Sequence, residues 1–260
     1  MAKKNYQTKK RFGQHFLHDQ NIIQKMIYAV NPKPEEKLIE IGPGLGALTF
    51  PLLEHIGKLE VVEIDRDVIQ HLANHGRERL TIHNVDALRF DFSKLYDDKV
   101  GKLRIVGNLP YNISTPLLFH LLESREQIED MHFMLQKEVV DRLIAELGGK
   151  DYGRLSIMAQ YYCQTEYLFY VSPAAFNPPP KVDSAVLRIK PWDELPYVAN
   201  DHKRLSQLVV EAFSKRRKTL RNSLKKLLTA EQIESVGVDP SLRPEQISVE
   251  DFVNLTNIDV

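Results

Sequence analysis

Seven residues, Glu40-Ile41-Gly42-Pro43-Gly44-Leu45-Gly46, join a short apolar run, Leu38 to Ile41, to a stretch with helical spacing. A glycine turn at such a junction lets a ligand approach the backbone closely, because glycine carries no Cβ. The run before it opens a series: Leu59 to Ile64, Leu80 to Val85, Leu103 to Gly107, Met131 to Leu135, Tyr167 to Val171 and Ala185 to Ile189. Helices are expected between the first five, which predicts an α/β fold with an open, Rossmann-like sheet. The last two runs have only the irregular, proline-bearing Ser172 to Ser184 between them, so an antiparallel edge is expected there rather than a further βαβ unit.

After Pro191 the pattern changes. Trp192 to Asn200 reads as a linker, and beyond it Leu205, Leu208, Val209, Ala212 and Phe213 mark one buried helical face, continued in spacing by Leu220, Leu224, Leu227 and Leu228. Two domains are expected, a sheet domain over residues 1–190 with a basic N-terminal arm and an all-helical domain over residues 191–260. The formal net charge of the 260 residues is zero, yet it is unevenly spread. Residues 1 to 20 carry Lys3, Lys4, Lys9, Lys10 and Arg11 against Asp19, and residues 203 to 226 carry nine Lys or Arg against Glu211 alone. The rest is therefore net acidic, and the basic ends offer surfaces for phosphates, or else are solvated helix faces. The hydrophobic share of 43% belongs to a soluble globular chain. No apolar run approaches the ~20 residues that a membrane helix needs, and none forms a signal core after the basic N-terminus. The single cysteine, Cys163, excludes an internal disulfide and fits a reducing, cytoplasmic setting. It lies in an apolar run and reads as a core residue, and the nine histidines show no metal-ligand spacing.

The glycines alternate, G-x-G-x-G, unlike the G-x-G-x-x-G of pyrophosphate-binding turns. S-adenosylmethionine has no phosphate. Its carboxylate suits the glycine N–H groups at Gly42 and Gly44, and its ammonium suits a preceding acid. The second strand ends in Glu63-Ile64-Asp65, where an acid in this fold class accepts hydrogen bonds from ribose hydroxyls. Glu63 and Asp65 share a face and compete for that role. The third ends in Val85-Asp86-Ala87, placing Asp86 to take a hydrogen bond from an adenine amine or to cap a helix. The fourth ends in Gly107-Asn108-Leu109-Pro110-Tyr111. An exocyclic adenine nitrogen is a weak nucleophile because its lone pair is delocalised into the ring. The Asn108 side-chain carbonyl and the Leu109 backbone carbonyl can each accept one N–H, favouring a tetrahedral nitrogen aimed at a methyl donor, with no strong base needed. Pro110 stiffens the turn, and Tyr111 can stack on the target base. Drawing a base out of folded RNA costs a few kcal/mol, and stacking returns roughly 1–3 kcal/mol per base. Phe176, in Phe176-Asn177-Pro178-Pro179-Pro180-Lys181, is the candidate second jaw; the alternative is a hydrophobic plug under its loop.

These motifs resemble the ribosomal RNA adenine N6,N6-dimethyltransferases of the bacterial small-subunit branch nearly end to end. The resemblance is carried by Phe12-Gly13-Gln14-His15-Phe16-Leu17, Glu40 to Gly46, Gly107 to Ser114, Met134 to Glu138, Tyr152 to Ser156, Phe176 to Ser184 and Arg216-Arg217-Lys218-Thr219-Leu220-Arg221. It implies cofactor contacts at His15, Leu17, Gly42, Glu63, Asp86 and Asn108, favouring Glu63 over Asp65. Many members carry asparagine where this chain has His15. The resemblance further implies dimethylation of two adjacent adenosines in the loop near the 3′ end of 16S ribosomal RNA, within the small subunit or its precursor. Arg216, Arg217, Lys218 and Arg221 are then the expected RNA contacts, and the free protein is expected to be a monomer without a metal. Three other readings compete. The large-subunit methyltransferase branch fits the Phe176 to Ser184 run and the basic tail less well, a non-catalytic assembly factor would not need Asn108 to Tyr111, and a nicotinamide oxidoreductase has a different glycine spacing.

Overall fold

The computed structural model describes residues 14–215 and 217–259. The basic residues Lys3 to Arg11, the Phe12-Gly13 start of the first motif, and Arg216 lie outside the described residues. The chain divides into two compact units, Met1–Val140 with Glu166–Pro191 and Asp141–Thr165 with Trp192–Val260.

The described part of the first unit carries the strands β1 (Phe16–Leu17), β2 (Leu38–Ile41), β3 (Leu59–Glu63), β4 (Leu80–Asn84), β5 (Leu103–Asn108), β6 (Ile128–Gln136), β7 (Cys163–Val171, shared at its start with the second unit), β8 (Phe176–Asn177) and β9 (Ser184–Pro191). Seven form one sheet in the order β4-β3-β2-β5-β6-β9-β7. From β4 to β6 the pairing is parallel, and β9 runs antiparallel to β6, with Ser184 opposite Gln136. The last two strands lie side by side at the edge as expected, β7 outermost and β9 joining it to the parallel strands through its antiparallel pairing with β6. The central strands are near-continuously apolar and buried, as parallel strands covered on both faces must be. Where β5 passes β2, a Cβ on Gly107 would stand 2.5 Å from the Ile41 carbonyl oxygen, so this strand pair tolerates no side chain there.

Helices α1 (Gln20–Val30), α2 (Thr49–His55), α3 (Arg66–Gly76), α4 (Ser114–Leu122) and α5 (Lys137–Leu143) connect the strands. α1 shows the logic: Asp19 caps it by accepting from the Asn21 and Ile22 N–H groups, and Ile23, Met26, Ile27 and Val30 form its buried stripe. Among the described residues no α-helix fills the interval between β4 and β5, where one was expected; there is a single turn of 3₁₀ helix, Phe92–Leu95. The aspartates explain it, because Asp91 and Asp97 each accept a hydrogen bond from a backbone N–H two residues on and so favour turns.

The second unit consists of α6 (Arg154–Tyr162), α7 (His202–Ala212), α8 (Leu220–Ser223), α9 (Ala230–Ser235) and α10 (Val249–Thr256), with α6, α7 and α10 packed on one another. The predicted face of α7 is buried at Leu205, Leu208, Val209 and Ala212. The division expected at residue 190 coincides with one crossing of the chain, but Asp141–Thr165 also belongs here. The reason is non-local: α6 is buried along most of its surface, the Tyr152 hydroxyl donates to the Ile247 carbonyl, and the Tyr161 hydroxyl bonds both His202 and the Ala199 N–H.

Near the start of β6 a buried ionic cluster ties three strands together. Asp130 accepts from Arg104 Nε at 2.8 Å and from Arg188 Nη2 at 2.9 Å, while Arg104 also reaches Glu36 at 2.8 Å. Burial raises the Asp130 pKa, but Arg104, His132 and Arg188 outweigh it and hold the group below its ordinary value. His132, buried beside them, is pushed down to about 4, chiefly by burial. Between pH ~6.5 and ~4 the unfolded chain binds a proton at this histidine that the folded chain does not, so the contribution of His132 to stability falls as pH drops through that window, by up to ~1.4 kcal/mol per unit. Glu40, raised by burial to about 8, acts in the opposite sense over the same range, so the histidine's part is read as a difference: the stability lost on His132→Gln in urea unfolding should be smaller at pH 5 than at pH 7, and a difference that does not change with pH would overturn the assignment to His132.

Candidate active site

A cavity of about 280 Å³ opens at the C-terminal ends of β2, β3 and β5. In a parallel sheet these ends share one edge, which is where ligands bind in open α/β folds. Its floor is the turn after β2. Gly42, Gly44 and Gly46 have φ of 67°, 53° and 88°, in the left-handed region that side-chain-bearing residues rarely enter. At Gly44 a Cβ would also stand 3.0 Å from the Phe16 ring. The backbone conformation thus favours glycine here, and a side chain at Gly44 would also press on the Phe16 ring.

Three carboxylates line the cavity, Glu40, Glu63 and Asp86, and among the described residues its lining holds no lysine or arginine. Glu40 is 2% exposed and accepts a 2.6 Å hydrogen bond from the Thr49 hydroxyl. Burial is the main cause that pushes its pKa up to about 8; Thr49 opposes the shift and nearby Glu63 adds to it. Glu63 is also raised by burial, against the hydrogen bonds its Oε1 accepts from the Ile64 and Asp65 N–H groups, both at 2.8 Å. Asp86 accepts from the Leu88 N–H at 3.0 Å, so it holds a turn and keeps further acceptor capacity toward the cavity. Of the two acids at and just beyond the end of β3, Glu63 lines the cavity and Asp65 does not. Asp65 is 1% exposed and is engaged by the Asp67 N–H and by Gln14 Nε2.

The end of β5 forms the opposite wall with Asn108, Leu109, Pro110 and Tyr111. Asn108 donates through Nδ2 to the His15 carbonyl at 3.2 Å, which commits the nitrogen and leaves Oδ1 as the acceptor. The Leu109 N–H donates to the Met134 carbonyl at 3.2 Å, and Ser114 Oγ donates to the Tyr111 carbonyl at 3.1 Å, so the turn is pinned on both sides. Over the cavity lies the arm Gln14 to Leu17. Its β1 pairs antiparallel with β8, Leu17 opposite Phe176, and His15 Nδ1 lies 2.7 Å from the Pro178 carbonyl oxygen. His15, Leu17, Gly42, Gly44, Glu63, Asp86, Asn108, Leu109, Pro110 and Tyr111 are thus brought together around one cavity.

Phe176 is not. It is 2% exposed, packs in the core with Leu17 and Ala175, and does not line the cavity. Pairing of β8 with β1 turns the ring inward, so in this conformation it is the hydrophobic plug rather than a second jaw. The ring that stacks near Tyr111 is His15, with centroids 6.0 Å apart and planes at 24°. In the second unit Arg217 and Lys218, between α7 and α8, and Arg221, within α8, are exposed, while Arg216 lies outside the described residues. Thr49, Gln14 and Ser184, partners of Glu40, Asp65 and Tyr111, had no assigned role in the sequence. A buried acid or phenol signals that a partner exists, but only the fold says which.

A parallel sheet continued by an antiparallel strand, with this cavity at its strand ends, defines a Rossmann-like methyltransferase fold. Among solved structures, a dimethyladenosine transferase from Plasmodium falciparum superposes with a TM-score of 0.75 at 26% identity, over 93% of this chain and 96% of that one. The 23S rRNA methyltransferase ErmE shares the fold with a TM-score of 0.70 at 23% identity, over 93% and 98%. The chain belongs to the ribosomal RNA adenine dimethylase family, whose model matches residues 5–259. It is 57% identical over 257 residues to a ribosomal RNA small subunit methyltransferase A from Alcanivorax borkumensis, covering 98% of this chain and 91% of that one. A protein of the same name from Pseudomonas aeruginosa is 56% identical over 254 residues, covering 97% and 94%.

Core placement of Phe176 has a measurable consequence. Phe176→Ala should cost about 3–5 kcal/mol of stability in denaturant unfolding, as for other buried aromatics. Unaltered stability would return the ring to a role at the surface of the site.

Proposed function

We propose that this protein transfers methyl groups from S-adenosylmethionine to the N6 amines of two adjacent adenosines in the loop near the 3′ end of 16S ribosomal RNA, giving N6,N6-dimethyladenosine. One observation carries the reading: the Asn108-to-Tyr111 turn opens onto a cavity lined by three carboxylates and, among the described residues, no lysine or arginine. Such a lining fits a ligand with a sulfonium and an ammonium and disfavours a pyrophosphate. Gly42 and Gly44 would hold the cofactor's carboxylate end, Glu40 its ammonium, Glu63 the ribose and Asp86 the adenine, with His15 and Leu17 covering it. Bound there, S-adenosylmethionine supplies a methyl group already activated by the sulfonium.

The chain's own residues then need only present the amine. In the first transfer Asn108 Oδ1 and the Leu109 carbonyl each accept one N–H, drawing the nitrogen lone pair out of conjugation; in the second the monomethylated amine has one N–H left, held by one of these two acceptors, and after each transfer the nitrogen releases one proton. Tyr111 offers the base a stacking face, and Pro110 keeps the turn from yielding. A stacking role for Phe176 would require the β1–β8 ribbon to part. The exposed Arg217, Lys218 and Arg221, with Arg216, supply phosphate contacts from the helical tail. The substrate is the small subunit or its precursor, and the protein acts as a monomer in the cytoplasm. No described helix is long and apolar enough to cross a membrane.

Methyl transfer from labelled S-adenosylmethionine to small subunits lacking these modifications, with product nucleosides mapped by mass spectrometry, tests the reading. N6,N6-dimethyladenosine at adjacent positions near the 3′ end supports it. Cofactor binding without transfer would point to an assembly factor that kept the fold and lost the chemistry. Asn108→Ala should lower transfer at least ~100-fold while RNA binding persists, since it removes an acceptor used at the reacting atom; full turnover would refute the proposed activation. Neutralising Arg216, Arg217 and Lys218 should weaken RNA binding and reduce the slope of log K against log salt by up to ~3, about one for each phosphate left without its cation. An unchanged slope would remove this segment from the interface.

A further inference from the structure

The stacking face of Tyr111 has two torsions to fix, and the structure holds each with a different residue. The ring leaves the turn after β5, yet its hydroxyl shares a 2.8 Å hydrogen bond with Ser184 Oγ at the start of β9. In the sheet order β5-β6-β9 this bond therefore joins the turn after β5 to the start of β9, past the end of β6. Ser184 is a firm anchor. It is fully buried, paired opposite Gln136, and flanked by the 2.9 Å bond from the Lys137 N–H to the Asp183 carbonyl.

Fixing the hydroxyl sets the direction of the ring axis, which is χ1. It does not set the rotation about that axis, because the oxygen lies on it and does not move when χ2 turns. Tyrosine χ2 is intrinsically broad, so the ring plane needs a neighbour on its face. His15 is that neighbour, 6.0 Å away and within 24° of parallel, and its own ring is tied through Nδ1 to the Pro178 carbonyl. We infer that Ser184 and His15 are positioning residues for methyl transfer, Ser184 fixing the axis of Tyr111 and His15 fixing its plane. The inference rests on the methyl-transfer reading above, in which Tyr111 meets the target base.

The test is a double-variant cycle with the full-length protein and unmodified small subunits. Ser184→Ala and Tyr111→Phe break the same bond from opposite ends, the second from the less buried partner in case the first folds poorly. Each should lower kcat about fivefold, the size of one neutral hydrogen bond, with the KM for S-adenosylmethionine unchanged. The double variant should be no slower than the slower single one, and Ser184→Thr should recover the loss. His15→Ala keeps the carbonyl that Asn108 uses, and its loss should multiply with that of Ser184→Ala because the torsions are independent. A readout independent of turnover is the order parameter of the Tyr111 ring carbons by NMR, which should fall in Ser184→Ala and in His15→Ala. Wild-type kcat and ring order in Ser184→Ala, or losses that multiply between Ser184→Ala and Tyr111→Phe, would overturn the inference. Absence of methyl transfer by the unaltered protein would instead overturn the functional reading, while the ring order still decides the positioning.

Discussion

The site depends on one reversal of chain direction. Parallel strands deliver only their C-terminal ends to the ligand-binding edge of a sheet, and β2, β3, β4 and β5 do so with Gly42, Glu63, Asp86 and Asn108 at or just beyond those ends. β9 runs the other way beside β6, so its first residue, Ser184, and the loop from Phe176 before it arrive at the same edge. A further parallel strand would have sent that loop to the far side of the sheet. With the reversal in place, β8 becomes available to β1, the arm is held over the glycine turn, and the Asn108 amide gains the carbonyl that orients it.

The cavity is built for positive charge before any ligand arrives. Taking Glu40 and Glu63 out of water raises both pKa values, Glu40 to about 8, so near neutrality much of Glu40 is protonated. A cation beside it favours the ionised form, which couples binding to loss of a proton and makes the pocket respond to charge as well as shape. Thr49 keeps the buried group satisfied in the meantime, since a hydroxyl can serve the carboxylate or the acid. At the other end of the same sheet, Asp130 faces Arg104 and Arg188 and is held ionised. Burial alone does not decide the state of an acid; the sign of what is buried with it does.

How much of this was legible before the fold depended on range. Leu38–Ile41 could be read to the residue because a strand buried on both faces is continuously apolar, and the acids and glycines at the strand ends could be read because each sits beside its own strand. What failed was non-local or short. β1 and β8 have two residues each, exist only by pairing with one another, and leave no periodic trace, so the sequence leaves Phe176 open between a ring for the base and a plug in the core, and the pairing places it in the core. The helical unit's claim on Asp141–Thr165 likewise rests on contacts such as Tyr152 to Ile247, which no window of sequence contains. The interval between β4 and β5 lost its helix to aspartates whose side chains bond their own backbone, a signal that was present and outweighed by the expected βαβ rhythm.

A neutral total charge conceals a division of labour that the proposed reaction requires. A pocket lined by carboxylates repels the phosphates flanking any base drawn into it, so affinity for RNA has to come from elsewhere on the chain. In the proposed reaction that part falls to the basic residues of segment 203–226, of which Arg217, Lys218 and Arg221 are exposed and belong to the unit that does not carry the cavity. Long-range attraction then belongs to one surface and discrimination to another. Phosphate contacts weaken as salt rises, whereas stacking and the two N–H acceptors at Asn108 and Leu109 hardly respond to it. Salt therefore separates the two contributions: it should raise the KM for RNA steeply while leaving the rate of the bound complex nearly constant.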